Sequence, residues 1–291
     1  MKTIIKWTGS KRYQAPCIVD KFPKTINTYF EPFLGGGSVL GELLERLEAG
    51  TYKCNNIICS DYNYDLIGIW NMIKDEPEYL ISEYTKLYDS FLPTHDDINA
   101  RKALYNSYRE EYNNLRKGNT DEHRRFILLN WLMRTSFNGL VRYNRYGDFN
   151  VSCHFTRDGI KPDNFEKIVL EWSHLLNKFN VVFICCSYDD IPFPYNCITK
   201  DDFVYCDPPY INSDGMYERE TFDNLRFFDW LRTLPCKYAM SYDGKSGKDD
   251  NTYNLPTDLY SEHIYVESAI SSFKTMVKKT QESVYDSLYI K

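Results

Sequence analysis

The sequence predicts an α/β fold, with an open, mostly parallel sheet of the doubly wound kind and an inserted helical subdomain that ends in a β-hairpin. Three observations lead there. Short apolar runs at 28–30, 56–59, 181–185 and 203–206 have strand length, and the run at 203–206 reads as a strand buried in a parallel sheet. Each run stops at a glycine-rich or acidic segment, which is the edge where open α/β sheets bind ligands. The alternation of strand and helix patterns is then lost over a long helical stretch, from Leu66 to about Met133.

The chain has 291 residues, enough for one large domain or two small ones. Hydrophobic residues make up 43%, a globular value, and 25 Tyr with 17 Phe supply a large aromatic core and stacking surface. No run reaches transmembrane length, and the opening MKTIIKWTGSKR is too short and polar for a signal peptide, so a cytoplasmic location is expected. Nine cysteines are an odd number without a C-x-x-C pair, which suits reduced thiols better than disulfides or zinc. Nothing calls for a metal. The net charge of −6 speaks against a nucleic-acid partner, but its distribution does not. From Arg101 to Tyr146 there are ten Lys/Arg against four Asp/Glu, and a locally basic segment can supply phosphate contacts. A solvated helix face would give the same count.

Taken in order, the chain opens on Lys6-Trp7-Thr8-Gly9-Ser10-Lys11. The strand at 28–30 leads into Glu31-Pro32-Phe33-Leu34-Gly35-Gly36-Gly37-Ser38. Glycines at a strand-to-helix turn let a ligand approach the backbone closely, although a plain helix-entry turn looks the same. Leu40 excludes the dinucleotide fingerprint, and the missing Lys-Ser/Thr excludes a P-loop. The strand at 56–61 ends on Asp61, 24 positions beyond Gly37, the offset at which doubly wound folds hold a ribose hydroxyl pair. Asp61 would equally serve as a helix N-cap, since Leu66, Ile69, Trp70 and Ile73 follow with helical spacing.

Two apolar stripes, Leu80-Tyr84-Leu87-Tyr88-Phe91 and Leu104-Tyr105-Tyr108-Tyr112-Leu115, read as core faces of helices, and 126–132 reads as a buried helix. A hairpin is expected from strands at 140–143 and 149–151 around a turn at 144–147. It carries Arg142 and Arg145 near Asn138, and Arg and Asn are the side chains that pair bidentately with guanine and adenine edges. An amphipathic helix from Phe165 to Leu176 leads to the strand at 181–185 and Ser187-Tyr188. Thr221 is expected to cap a helix through Leu231, with strands at 237–242, 263–270 and 283–290 and a mobile polar loop at 243–255.

The strand at 203–206 ends on Asp207-Pro208-Pro209-Tyr210. Proline has no N–H and a fixed φ, so the pair stops the sheet ladder and stiffens the backbone. That stiffness can aim a carboxylate and a free backbone carbonyl at one point, a pair of acceptors suited to a planar amino group. The tyrosine adds a flat face for a base.

Laid out in this order, the chain resembles the Dam-type, alpha-group DNA adenine-N6 methyltransferases. The resemblance covers most of the chain. It rests on K-W-x-G-x-K, Y-x-E-P-F-x-G-G-G, the S-D at the second strand, F-N-G-L-x-R-Y-N…G-x-F-N-V, and D-P-P-Y. It implies a Rossmann-like methyltransferase sheet formed by residues 1–66 and 162–291, with a DNA target-recognition insert at 67–161. It also implies S-adenosylmethionine as donor, leaving S-adenosylhomocysteine, and adenine in double-stranded DNA as acceptor. Trp7, Lys11, Glu31, Pro32, Phe33, Gly35, Gly36, Gly37, Ser38, Asp61, Tyr188 and Asp207 would lie at the cofactor. Asp207, Pro208, Pro209 and Tyr210 would be catalytic, acting on a base flipped out of the duplex. Phe137, Asn138, Leu140, Arg142, Asn144, Arg145 and Ser152 would meet DNA, and the chain would act as a monomer. Two positions depart from the family pattern: Ser10 replaces a glycine, and Ser152 stands where members reading GATC commonly carry proline. A GATC-like target with an altered choice at one position is therefore expected. Two rival readings share parts of the pattern. One places the same motif on an amino group of RNA or of a protein glutamine, and the basic insert favours duplex DNA against it. The other is a DNA-binding protein that has lost methyl transfer, against which the intact D-P-P-Y and glycine blocks argue.

Overall fold

The computed structural model of the chain describes residues 1–118, 121–192, 194–210, 222–247, 249–268 and 283–291. Strands β1 (Thr25–Glu31), β2 (Lys53–Asp61), β3 (Val182–Cys185), β4 (Phe203–Cys206) and β5 (Lys237–Ser246) run parallel. Strands β7 (Glu262–Ser268) and β8 (Val284–Ile290) close one edge antiparallel, and the two-residue β6 (Asp249–Asp250) pairs with β5. The order is β3-β2-β1-β4-β5-β8-β7. The chain passes from β1 outward to β2 and β3, then returns to the other side of β1 as β4. The reversal opens a crevice beyond the carboxyl ends of β1 and β4, the place where such sheets bind ligands.

Side-chain alternation explains why β4 is apolar throughout. Phe203 and Tyr205 enter the core on one face, and Val204 and Cys206 enter the core on the other. Asp202 sets the start of the strand: its carboxylate accepts from the Thr28 N–H at 2.9 Å and from Asn27 at 2.8 Å, tying β4 to β1. The first face is covered by α1 (Ala15–Val19), α2 (Ser38–Glu48), α3 (Tyr64–Asp75) and α7 (Pro162–Lys178), with Trp70 against Trp172 and stacked on Phe183. The second is covered by α8 (Asn224–Thr233) through Phe227, Phe228 and Leu231.

The inserted block consists of α4 (Pro77–Phe91), α5 (Ile98–Gly118) and α6 (Glu122–Thr135). Both apolar stripes face inward, and Tyr84 stacks on Phe165 with ring centroids 3.7 Å apart. The expected boundary at 66/67 falls inside α3, which lies on the sheet through Trp70. A buried polar link between block and sheet is Asp65, in the first turn of α3. It accepts from Tyr112 at 2.7 Å and pairs with Arg116 at 3.5 Å and with Arg125.

Several expectations change in detail. Asn63, not Asp61, caps α3, its side chain accepting from the Leu66 N–H. The hairpin is present but sparse, with antiparallel bridges at Ser136–Cys153 and Tyr143–Phe149. The stretch expected as a polar loop from 243 instead continues β5 to Ser246. After a bulge the strand rejoins β8 at Lys245–Tyr285, so cross-strand pairing overrides local polarity. Asp223 caps α8, and Thr221 lies outside the described residues, as do the last two positions of the strand expected at 263–270.

Candidate active site

One cavity of about 490 Å³ lies at the crevice. Its walls include Trp7 and Lys11, the segment from Glu31 to Ser38, Asp61, Tyr188, and the run from Asp207 to Tyr210. All the positions expected at the cofactor and all four of D-P-P-Y are therefore gathered in one place from separate parts of the sequence. Val141 and Tyr143 of the hairpin line the same cavity.

The glycine run owes its composition to packing within the protein. Gly35 and Gly37 have φ of +49° and +63°, which L side chains rarely adopt. A Cβ on Gly35 would meet Trp7 at 3.0 Å, and one on Gly37 would meet Trp70 at 2.6 Å. The Trp70 indole N–H also donates to the Gly35 carbonyl at 3.1 Å. Two tryptophans thus fix the loop, and Gly37 then opens α2 from a left-handed conformation. The Ser10 hydroxyl bonds to that of Ser38 at 2.9 Å, so the departure from glycine joins the opening motif to the first residue of α2.

Asp61 accepts from the Gly35 N–H at 3.0 Å and the Asn63 N–H at 2.9 Å. Burial raises its pKa, and these backbone bonds oppose the rise. Phe33 and Tyr188 stack with centroids 5.5 Å apart and form an aromatic wall, with Phe222 edge-on to Phe33. At the rim Arg226 pairs with Asp189 at 2.6 Å. Glu31 is buried and accepts from Tyr29 at 2.8 Å, and its burial lifts its pKa to about 8, with the nearby Asp207 charge adding to the rise.

At Asp207 four side chains meet. Lys11 Nζ is 2.9 Å from Asp207 Oδ1 and 3.5 Å from Asp286 Oδ2, and it lies 4.8 Å from the centre of the Tyr210 ring. Burial works against the lysine charge, but the two carboxylates outweigh it and raise its pKa. Burial likewise raises the pKa of Asp207, and Lys11 opposes that rise. Sequence reading missed Asp286: it lies 76 positions beyond Tyr210 in a strand without a motif, and only folding brings it here.

The positions expected at DNA lie together around the hairpin. Arg142 is exposed, its Nε donating to Asn150 at 2.9 Å. Arg145 is exposed and stacks over Tyr146 at 4.8 Å. Phe137 and Leu140 are exposed large apolar residues, Asn138 has φ of 54°, and Ser152 is exposed. The Asn144 side-chain oxygen is turned inward and accepts from the N–H groups of Tyr146 and Asp148 to build the turn.

The basic count over 101–146 overstates the free charge. Arg101 pairs with Asp158, Lys117 with Asp148, Arg124 with Glu111, and Arg116 and Arg125 with Asp65, while Arg134 donates to the Ile4 carbonyl. These six cations are therefore engaged within the protein, and Arg109 also donates inward, to the Val151 carbonyl at 3.3 Å. A basic position outside that count is Lys6, packed under Gly139, where burial with Arg157 and Arg134 lowers its pKa to about 8.

Residues 7–284 match the model of the D12 class N6 adenine-specific DNA methyltransferases. The chain is 30% identical over 262 residues to "Type II methyltransferase M.MjaIII" of Methanocaldococcus jannaschii, covering 88% of this chain and 86% of the relative. It is 29% identical over 243 residues to "Type II methyltransferase M.CviBI" of Paramecium bursaria Chlorella virus NC1A, covering 82% of each. It is 31% identical over 212 residues to "DNA adenine methylase" of Escherichia coli strain K12, covering 72% of this chain and 65% of the relative. The chain belongs to the D12 class of N6 adenine-specific DNA methyltransferases. It is an enzyme that methylates adenine in DNA. Among the described residues no helix is long and apolar enough to cross a membrane.

Proposed function

We propose that this enzyme takes its methyl group from S-adenosylmethionine and acts on an adenine turned out of duplex DNA into the cavity beside Asp207. The observation that carries the reading is the single cavity lined at once by Asp61, by the Phe33 and Tyr188 rings, by Asp207 to Tyr210, and by Val141 and Tyr143 of the hairpin. Such a lining suits a nucleoside-containing donor: a carboxylate for ribose hydroxyls, aromatic faces for a purine, and a glycine turn where backbone is bare. When bound, S-adenosylmethionine supplies a methyl group on a sulfonium, a strong electrophile.

The chain's own residues prepare the acceptor. The amino group of adenine is paired in the duplex, so the base must leave the stack to be reached. Tyr210 offers its ring to the flipped base. Asp207 and the Pro208 carbonyl accept the two amino hydrogens. This draws the nitrogen lone pair out of conjugation with the purine ring and toward the donor. Catalysis of this kind is positioning and electrostatics, on a site fixed before substrate arrives.

The insert, with the hairpin at its end, selects the site. Arg142 reads a guanine, since its fork matches O6 and N7. Arg145 meets phosphate. Ser152 offers a hydroxyl where a proline would offer an apolar surface to a thymine methyl, so the target is GATC-like with altered preference at one position. The enzyme works as a monomer. Mapping N6-methyladenine in DNA from cells expressing the chain should show marks at GATC-like sites. Marks confined to an unrelated sequence would refute the specificity, and no N6-methyladenine would refute the whole reading.

A further inference from the structure

Opposite the bulge between β5 and β8, one carboxylate is aimed at the D-P-P-Y motif. Regular pairing between the strands holds from Ala239–Ile290 to Tyr242–Ser287 and resumes at Lys245–Tyr285, so Asp286 faces the irregularity. A Cβ on Gly244 would lie 2.1 Å from the Tyr285 carbonyl oxygen and 2.9 Å from Asp286 backbone atoms, so the close approach needs glycine. The extra residue lies on β5, and bulges are common beside active sites; here the bulge lies opposite Asp286, which stays in register with Val266 of β7. Its Oδ2 accepts from the Tyr210 hydroxyl at 3.1 Å and lies 3.5 Å from Lys11 Nζ. Lys11 also faces Asp207 Oδ1 at 2.9 Å and the Gly9 carbonyl at 3.2 Å. Three acceptors thus surround an ammonium with three hydrogens, and two carboxylates share one positive charge.

We propose that Asp286 is a positioning residue for methyl transfer: it anchors the Tyr210 ring by its hydroxyl and takes part of the Lys11 charge, so that Asp207 stays a strong acceptor facing the target amino group. This rests on the reading of Asp207 and Tyr210 given above. Without the second carboxylate, Lys11 would turn wholly to Asp207 and weaken it as an acceptor, and Tyr210 would lose a charge-assisted bond. Among the described residues the charged and titratable groups around Asp207 include Lys11, Asp286, Tyr210, Glu31, Tyr205 and Cys206. Among these the Asp286 charge makes Asp207 harder to ionise, so removing it must ease ionisation.

The test uses the full chain with wild type, Asp286→Asn, Asp286→Glu and Tyr210→Phe. It measures kcat against pH on a duplex containing the mapped site, cofactor and duplex affinity by calorimetry, and the methylated nucleoside. Asp286→Asn should lower kcat about 10- to 100-fold, the scale of a misplacement near 1 Å. Both affinities should stay within about twofold, and the acid limb of kcat should move to lower pH. Asp286→Glu keeps the charge, so its limb should stay in place while its rate falls between the other two. Tyr210→Phe removes the same bond from the other partner and should also lower kcat, which keeps the test alive if Asp286→Asn does not fold. Full rates in the variants, or a loss in Asp286→Asn with an unmoved acid limb, would overturn the proposal while wild type still methylates adenine. A wild type that places no methyl on adenine overturns the underlying reading, and the proposal with it.

Discussion

The strand end at Asp207 and the hairpin at Arg142 line parts of one crevice, yet they are built on opposite plans. Around Asp207 the side chains come from three distant stretches of the chain, and Lys11 is 6% exposed. Around Arg142 the arginines are exposed, the backbone pairing is sparse, and the contacts are mostly local. A reaction centre must hold its atoms before substrate comes, because reorganisation during the reaction is costly. A reading surface must leave its donors free for base edges and phosphates. Between them stands Asp65, whose bonds to Tyr112, Arg116 and Arg125 fix the helices under the hairpin to the helix that follows Asp61.

Substitutions can break this contrast, and the largest effect is expected at the strand end. Asp207→Ala should cut methyl transfer by at least about 10²- to 10³-fold, the scale seen when one fixed polar group is removed from a reaction centre. Cofactor and duplex affinities should fall far less. Turnover within tenfold of wild type would remove Asp207 from the chemistry.

Next comes Asp61→Ala. A carboxylate bonded to ribose hydroxyls makes charge-assisted contacts worth about 1.5–3 kcal/mol, so cofactor affinity should fall by that amount while duplex affinity changes little. Calorimetry showing unchanged cofactor affinity would leave Asp61 only its bonds to Gly35 and Asn63.

The hairpin should behave differently. Arg142→Ala should cost about 1–3 kcal/mol of discrimination at one base pair, measured as methylation rates on every single-base variant of GATC. Ser152→Pro should change preference at one position in the same series. Arg145→Ala should weaken all sequences alike and lower the salt dependence of binding, the smallest effect of the set. A uniform loss for Arg142→Ala would turn the hairpin into a backbone clamp and end the contrast.

Legibility in the sequence follows the same division. D-P-P-Y, the glycine block and Asp61 could be read because each couples a strand end to a special residue, a local signature of position in the sheet. Trp70 as the neighbour of Gly37, and Asp286 as the partner of Tyr210, could not be read. Both depend on contacts across the fold that no local pattern encodes. The charge count misled for a related reason: a run of arginines looks the same whether it faces solvent or, as with Arg125 and Asp65, a buried acid.

The central claim is that the fixed strand end receives a base taken out of the duplex. Its most direct test places 2-aminopurine at the target adenine of a GATC-like duplex and follows its fluorescence on binding wild type and Asp207→Ala. If Asp207 acts on the base only after it arrives, unstacking should raise the fluorescence with both proteins. No rise with wild type, on a duplex whose unmodified counterpart it methylates, would contradict the account.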